Sequence, residues 1–267
     1  MAANEKRPPA NEVALVREMA SRIMAFALSD ECELRRQRWR DVNELRKPDR
    51  APVWCRVAAA RKEILPDEEL QCEHPLCRSL ERTLRYELYK IWVGDDHIAS
   101  PWWPVRAVMR CTTEETWGMA GYRSIGTTDM GGFKYDHPVK DVADYDRVSV
   151  PDFEYDAEAT ERNASQVADI LGAVMPVRIE GGPPLSPQLQ VYWEHLRGMG
   201  PMMEDLAFAP EACHRLMARL TEGVLRAQRR AEEAGILTTN HHEPMYCSDP
   251  LGEGAEGEPV RLCNLWS

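Results

Sequence analysis

The densest set of groups able to do chemistry in these 267 residues is His241-His242-Glu243, with Tyr246 and Cys247 a few positions on. Imidazole, carboxylate and thiol are the side chains that move protons near neutral pH or ligate a transition metal. Their spacing matches no common metal signature, and adjacent side chains in an extended loop point apart. Three readings stand: a metal site, the metal-free lining of a pocket, or an ordinary polar loop. Glu180 ends the run VMPVRIE and precedes Gly181-Gly182. It could act as a base or polar anchor, or simply meet solvent. Gly181-Gly182 is too short for a phosphate-binding fingerprint and reads as a turn. Cys72-Glu73-His74 and Cys77 are also ligand types, but Pro75 suits the first turn of a helix there. Trp102-Trp103 and Trp117 could stack on a flat ligand or pack in a core.

These groups need elements to position them. Residues 174–179 read as a buried strand. Residues 210–234 read as a helix, with Pro210 at its start and Gly235 past its end. Leu216, Leu220 and Val224 repeat every four residues and give it an apolar stripe. Residues 236–239 read as the next strand, and a polar, proline-rich turn links residue 182 to the helix. Strand, helix, strand is a βα unit, which predicts a parallel sheet with helices outside it. Such sheets hold their chemistry at the C-terminal strand ends. The loops at 180–182 and 240–249 are therefore the places to look.

The formal charge is 33 − 44 = −11 with no basic run, which argues against a nucleic-acid partner. No stretch reaches the ~20 apolar residues of a membrane span. The N-terminus lacks the apolar core of a signal peptide, so a cytoplasmic location is expected. Eight scattered cysteines without a C-x-x-C are then read as thiols.

In chain order, residues 1–10 read as a disordered tail and 11–267 as one domain. Helices are predicted over 11–29 and 31–45, forming a helical lead-in that reaches residue 50. A short strand follows at 51–57, a helix at 75–93 and a strand at 104–109. Residues 111–151, with Gly118, Gly121, Gly126, Gly131 and Gly132, read as an excursion of loops and short strands. A helix at 154–171 feeds the strand at 174–179. Residues 172–267 supply the first βα units. The last residues, VRLCNLWS, read as the start of a further element. The expectation is an incomplete barrel, the front part of a longer protein.

Taken together, PDRAPVW at 48–54, Ile64-Leu65-Pro66, PVKDVADYDRVSVPDFE, LGAVMPVRIEGGPP and the segment from Met202 to Gly235 resemble the uroporphyrinogen decarboxylase superfamily. The likeness covers roughly residues 45–240 and rests on pattern and order. It implies an α/β fold of the TIM-type (β/α)8 barrel. The superfamily includes porphyrinogen decarboxylases and corrinoid-dependent methyltransferases.

Departures from the pattern separate the two branches. Decarboxylases of the family end the first strand in Arg-Gln-Ala-Gly-Arg, whose arginines hold substrate carboxylates. This chain has Val57-Ala58-Ala59-Ala60-Arg61 there. Arg61 is kept as an anion contact and the other arginine is lost, which weakens recognition of many carboxylates. The family aspartate that meets pyrrole N–H groups falls near Pro101-Trp102, with Asp95 and Asp96 out of register. The resemblance then implies a corrinoid-linked methyltransferase acting on a small methylated ether or amine, with a corrinoid-binding protein as partner. The alternatives are tetrapyrrole decarboxylation and a non-catalytic binding protein or fragment. Zinc in the methyltransferase branch sits on a His-x-Cys pair and a distant Cys. No His-x-Cys occurs here, so zinc is expected only through residues beyond Ser267. The candidate catalytic residues are Glu180, His241, His242 and Glu243. The candidate substrate contacts are Arg61, Trp102, Tyr246 and Cys247.

Overall fold

A computed structural model describes residues 7–57, 60–113, 115–120, 122–125, 133–251 and 258–266. Helices α1 (Ala10–Ala27) and α2 (Asp30–Asn43) form the lead-in. Between them the Ser29 hydroxyl caps α2 by accepting from the Cys32 N–H at 3.3 Å. A single turn, α3 (Arg61–Ile64), precedes α4 (Pro75–Val93). Proline opens α4, and Gly94 closes it in the left-handed conformation at φ 74.

Strands β1 (Trp103–Arg106) and β2 (Met109–Cys111) follow, then the antiparallel pair β3 (Tyr122–Ile125) and β4 (Phe133–Asp136). A six-residue 3-10 turn leads to β5 (Phe153–Tyr155), which pairs antiparallel with β2. Helix α5 (Ala157–Leu171) is capped by the Asp156 carboxylate, which accepts from the Ala159 N–H at 2.9 Å. It delivers β6 (Val177–Glu180), which pairs parallel with β1. Helices α6 (Leu189–Arg197), α7 (Met199–Phe208) and α8 (Pro210–Glu233) complete the order.

The fold is mixed α/β, about 53% helical with few strands, and no closed barrel forms among the described residues. No helix among them is long and apolar enough to cross a membrane.

One core lies between α1, α4, α5 and one face of the β1–β6 pair, around Val16, Leu84, Leu171 and Met175. A second lies between α6, α7, α8 and β5, around Tyr145, Trp193, Leu216 and Leu220. The Leu216 and Leu220 side chains are fully buried, which stabilises by roughly 1.5–3 kcal/mol each. Inside this core the Tyr145 hydroxyl donates to Asp205 at 2.6 Å and accepts from the Trp193 indole at 2.9 Å. Arg197 grips the same aspartate through two nitrogens. Every polar group of this network is therefore matched, as burial requires.

Several expectations need correction. Helix α1 starts at Ala10, the last residue of the expected tail; residues 1–6 of that tail lie outside the described ones, as do Gly121, Gly126, Gly131 and Gly132. Residues 51–57 form no strand. Their backbone is satisfied by two buried aspartates instead. Val53 N–H donates to the Asp96 carboxylate and Cys55 N–H to that of Asp95, at 2.7 and 2.6 Å. Asp96 is also held by Arg38 and Arg50, and Asp95 by Lys90, so both carboxylates are structural. Desolvation works to raise the Asp96 pKa, but these donors outweigh it and hold the pKa below the ordinary range.

The expected strand at 104–109 is two strands that pair with different partners. The expected helix at 154–171 begins only after β5, because Asp156 caps it. The linker expected to be a turn contains α6 and α7. Leu189, Trp193 and Leu196 carry the helical period there, but Pro184, Pro187 and Pro201 mask it.

Residues 236–239 also form no strand. They are delivered by a C-terminal turn on α8, in which Gly235 N–H donates to Glu232 O and Ile236 N–H to Ala231 O. The chain then runs beside the end of β6. Thr238 N–H donates to Gly181 O at 3.0 Å, and Gly181 N–H to the Thr238 hydroxyl at 3.1 Å.

Candidate functional site

The site rests on the alternation of side chains across the β1–β6 pair. In register, Trp103 faces Val177 and Val105 faces Ile179, while Pro104 faces Arg178 and Arg106 faces Glu180. The first two pairs point into the core of α1, α4 and α5. The last two therefore share the opposite face, because successive residues of a strand alternate. That face carries Arg106, Arg178 and Glu180, and the chain from 238 to 243 runs alongside it.

Glu180 is the hub. One of its oxygens accepts from the Trp102 indole N–H at 2.7 Å, and His242 Nε2 stands 3.3 Å from the same oxygen. The Trp102 and His242 rings meet edge to face, with centroids 4.9 Å apart. The Arg178 guanidinium lies 4.8 Å above the Trp102 ring. Trp102 thus serves as a hydrogen-bond donor and a lid on Arg178.

Two carboxylates in this region are driven in opposite directions. Desolvation tends to raise the Glu180 pKa, but the hydrogen bonds to His242 and Trp102 win and bring it below the ordinary range. Glu243 is raised, first by desolvation and further by the charge of Glu180, against the opposing pull of His242 and Arg106. Much of the Glu243 side chain still meets solvent. Both line a cavity of ≈ 430 Å³, with Arg106, Thr238, Asn240 and Trp266 among its other walls. A second cavity of ≈ 740 Å³ is lined by Trp102, His242, Arg178 and Arg40. The Glu180–His242–Trp102 contact separates the two.

The loop that brings His242 here is fixed at several points. Glu243 N–H donates to Asn240 O and Tyr246 N–H to Glu243 O, which folds 240–246 into successive turns. The Asn240 side chain donates to Trp266 O at 2.9 Å and accepts from Trp266 N–H at 3.0 Å. His241 Nε2 lies 2.8 Å from Asn264 O. The segment 262–266 is thereby clamped across the loop.

Of the predicted residues, the structure unites Glu180, His242, Glu243 and Trp102. His241 turns away to Asn264, and Tyr246 is half-buried in the turn that follows. Arg61 does not line the 430 Å³ cavity; its guanidinium sits 4.4 Å over the Tyr86 ring on α4. Cys247 is buried with Cys32, Trp39 and Ile98, and its Sγ points to Arg36 O. Trp103 and Trp117 pack in the two large cores. Cys72 and Cys77 are fully buried in the first core.

Arg106 and Arg178 went unread in the sequence. The signal was the alternation of charged and apolar residues in VRIE and WPVR, which marks one polar face on a strand.

Zinc does not fit these residues. His241, His242 and Cys247 point at three different partners, and no group of three or more His, Cys, Asp or Glu among the described residues could hold a metal ion.

Burial sets the reactivity of the thiols. Desolvation, reinforced by Glu81, pushes Cys72 up to about 12, and desolvation also raises Cys32, Cys77, Cys213 and Cys247. Cys55 and Cys263 are exposed. A chromogenic thiol reagent should therefore label Cys55 and Cys263 rapidly in the native protein. The five buried thiols should react only in denaturant. Rapid labelling of Cys247 in the native state would show that the 240–249 loop opens.

No family model, curated protein or solved structure matches the chain, so its chemistry has to be argued from these residues.

Proposed function

We propose that this chain is a corrinoid-linked methyltransferase of the uroporphyrinogen decarboxylase type, built on a TIM-type barrel plan. It would move a methyl group from a small ether or amine to a corrinoid-binding partner protein. One observation carries the reading: two carboxylates with opposite pKa shifts share a cavity at the C-terminal end of a parallel strand. The strand order helps, because a helix-bearing crossover links β1 to its parallel neighbour β6.

The partner's corrinoid supplies the methyl-accepting centre. The residues of this chain do the rest. As the bond from the methyl carbon to oxygen or nitrogen breaks, its electron pair stays on the heteroatom. With an ether or an uncharged amine as donor, Glu243 passes its proton to that atom, so that a neutral alcohol or amine departs, and later regains a proton from water. Glu180 stays ionised, fixed by Trp102 and His242. It orients the imidazole, and its charge helps to raise the Glu243 pKa.

The test is methyl transfer from simple methyl ethers and methylamines to free cob(I)alamin, followed by its absorbance change. Wild-type protein should show turnover, and Glu243→Gln should lower it by roughly 10²–10⁴-fold. The loss should be larger for donors whose leaving group is more basic. Equal rates for wild type and Glu243→Gln across all donors would sink the proton-donor role.

A further inference from the structure

The charges around the 430 Å³ cavity narrow the class of molecule it can hold. Its volume lies within the usual range for a small-molecule site. Among the described residues Arg106 is the one cationic residue on its wall. Among the described residues Arg106 makes no hydrogen bond or ion pair of its own. Its register partner across the sheet is Glu180, and its charge reaches Glu243 without closing to an ion pair. The two glutamates stand on the same wall, with Trp266, whose indole N–H donates to Ser248, and the hydroxyl-bearing Thr238 and Thr239. Arg178 is occupied elsewhere, over the Trp102 ring beside the second cavity.

A guanidinium without a partner is a ready fork for one carboxylate. Two glutamates and an indole beside it suit a cation and repel further anions. We infer that the cavity binds a small zwitterion, with its carboxylate on Arg106 and a methylated ammonium group against Glu180, Glu243 and Trp266. This inference rests on the methyltransferase reading for its biological sense, since it names the methyl donor as an N-methylated amino acid, whose ammonium nitrogen keeps the C–N electron pair and leaves as a neutral amine without a proton from Glu243. The binding claim stands on the cavity alone. The same wall disfavours a tetrapyrrole with many carboxylates, which would set several anions against two glutamates and a single arginine.

The experiment is isothermal titration calorimetry with three probes of related shape: N,N-dimethylglycine, dimethylammonium and acetate. No corrinoid is added. The zwitterion should bind at least roughly tenfold more tightly than either half-molecule, as expected when one charged hydrogen-bonded contact is gained. Arg106→Gln should remove that advantage and leave dimethylammonium binding unchanged. At a pH above the Glu243 titration, Glu243→Gln should weaken dimethylammonium and spare acetate. Arg106 is exposed, so its replacement is expected to leave the circular dichroism spectrum intact. The wild-type ranking of the three probes decides the matter even if a variant misfolds.

Acetate or dimethylammonium binding as tightly as N,N-dimethylglycine would overturn the inference. So would undiminished zwitterion binding in a folded Arg106→Gln, or no binding of the zwitterion at all. Zwitterion binding without methyl transfer to cob(I)alamin would support this inference and count against the methyltransferase reading. Methyl transfer from a neutral ether with no zwitterion binding would do the reverse.

Discussion

Gly181→Ala is expected to destabilise the protein severely and to abolish whatever activity the site has. A Cβ at this position would stand 2.0 Å from Ile236 O and 2.9 Å from Ile236 C. Both are backbone atoms, so neither can rotate aside as a side chain would. Gly181 also binds Thr238 through its N–H and its carbonyl. Relief requires moving residues 236–238 away from β6, which breaks those bonds and carries His242 and Glu243 away from Glu180. Overpacking costs about 1–3 kcal/mol, and rigid backbone obstruction puts this case at or above the upper end. In a domain of this size, about 3 kcal/mol lowers Tm by roughly 6–12 °C. Gly182 is the internal control, because a Cβ there meets nothing within 4 Å. Thermal unfolding by circular dichroism should separate the two alanine variants clearly. A Gly181→Ala protein that melts with wild type would show that the 236–239 segment does not pack against β6 as described.

The same close approach explains what the sequence could and could not reveal. Helices α4 and α8 were legible because their ends are marked by Pro75, Gly94, Pro210 and Gly235, and their apolar residues repeat at helical spacing. Helices α6 and α7 were hidden because proline and glycine inside and around them read as turn. Residues 51–57 and 236–239 have the composition of strands. What decides strand identity is a partner ladder, and theirs is replaced by Asp95 and Asp96 in one case and by hydrogen bonds between Thr238 and Gly181 in the other.

The site was half legible. Glu180 and His242 could be named from residue type and loop position. Their union could not, because 62 positions separate them and only the α8 turn brings them together. Residue type alone suggests that Trp102 stacks on a ligand or packs in a core, whereas its indole N–H donates to Glu180. Cys247 has the chemistry of a ligand, but its position beside α2 takes it out of the 430 Å³ cavity and onto the wall of the second one, with Trp102 and His242.

Glu180→Gln is expected to lower methyl transfer by roughly 10²–10³-fold, the usual cost of removing one fixed charge from a site of this kind. The amide can still accept from Trp102, so the ring should stay in place and the loss should fall on charge rather than shape. The pH dependence distinguishes this from a packing defect. Glu180 has a depressed pKa in the fold, so it is ionised above the ordinary unfolded value and protonates only as pH falls through the lower folded value. Its contribution to activity and stability is therefore present at neutral pH and lost in acid. Glu243 has a raised pKa, so its proton-donor form disappears as pH climbs through that raised value. Wild-type activity should then follow a bell, with Glu180 on the acid limb and Glu243 on the alkaline limb. Glu180→Gln should erase the acid limb. It should also pull the alkaline limb to lower pH, since the charge that helps Glu243 keep its proton is gone. A Glu180→Gln profile with both limbs unmoved would exclude Glu180 from the chemistry and leave it as a structural anchor for Trp102. A double-mutant cycle with His242→Gln measures the coupling directly. A pair that acts as a unit loses little more from the second substitution than from the first.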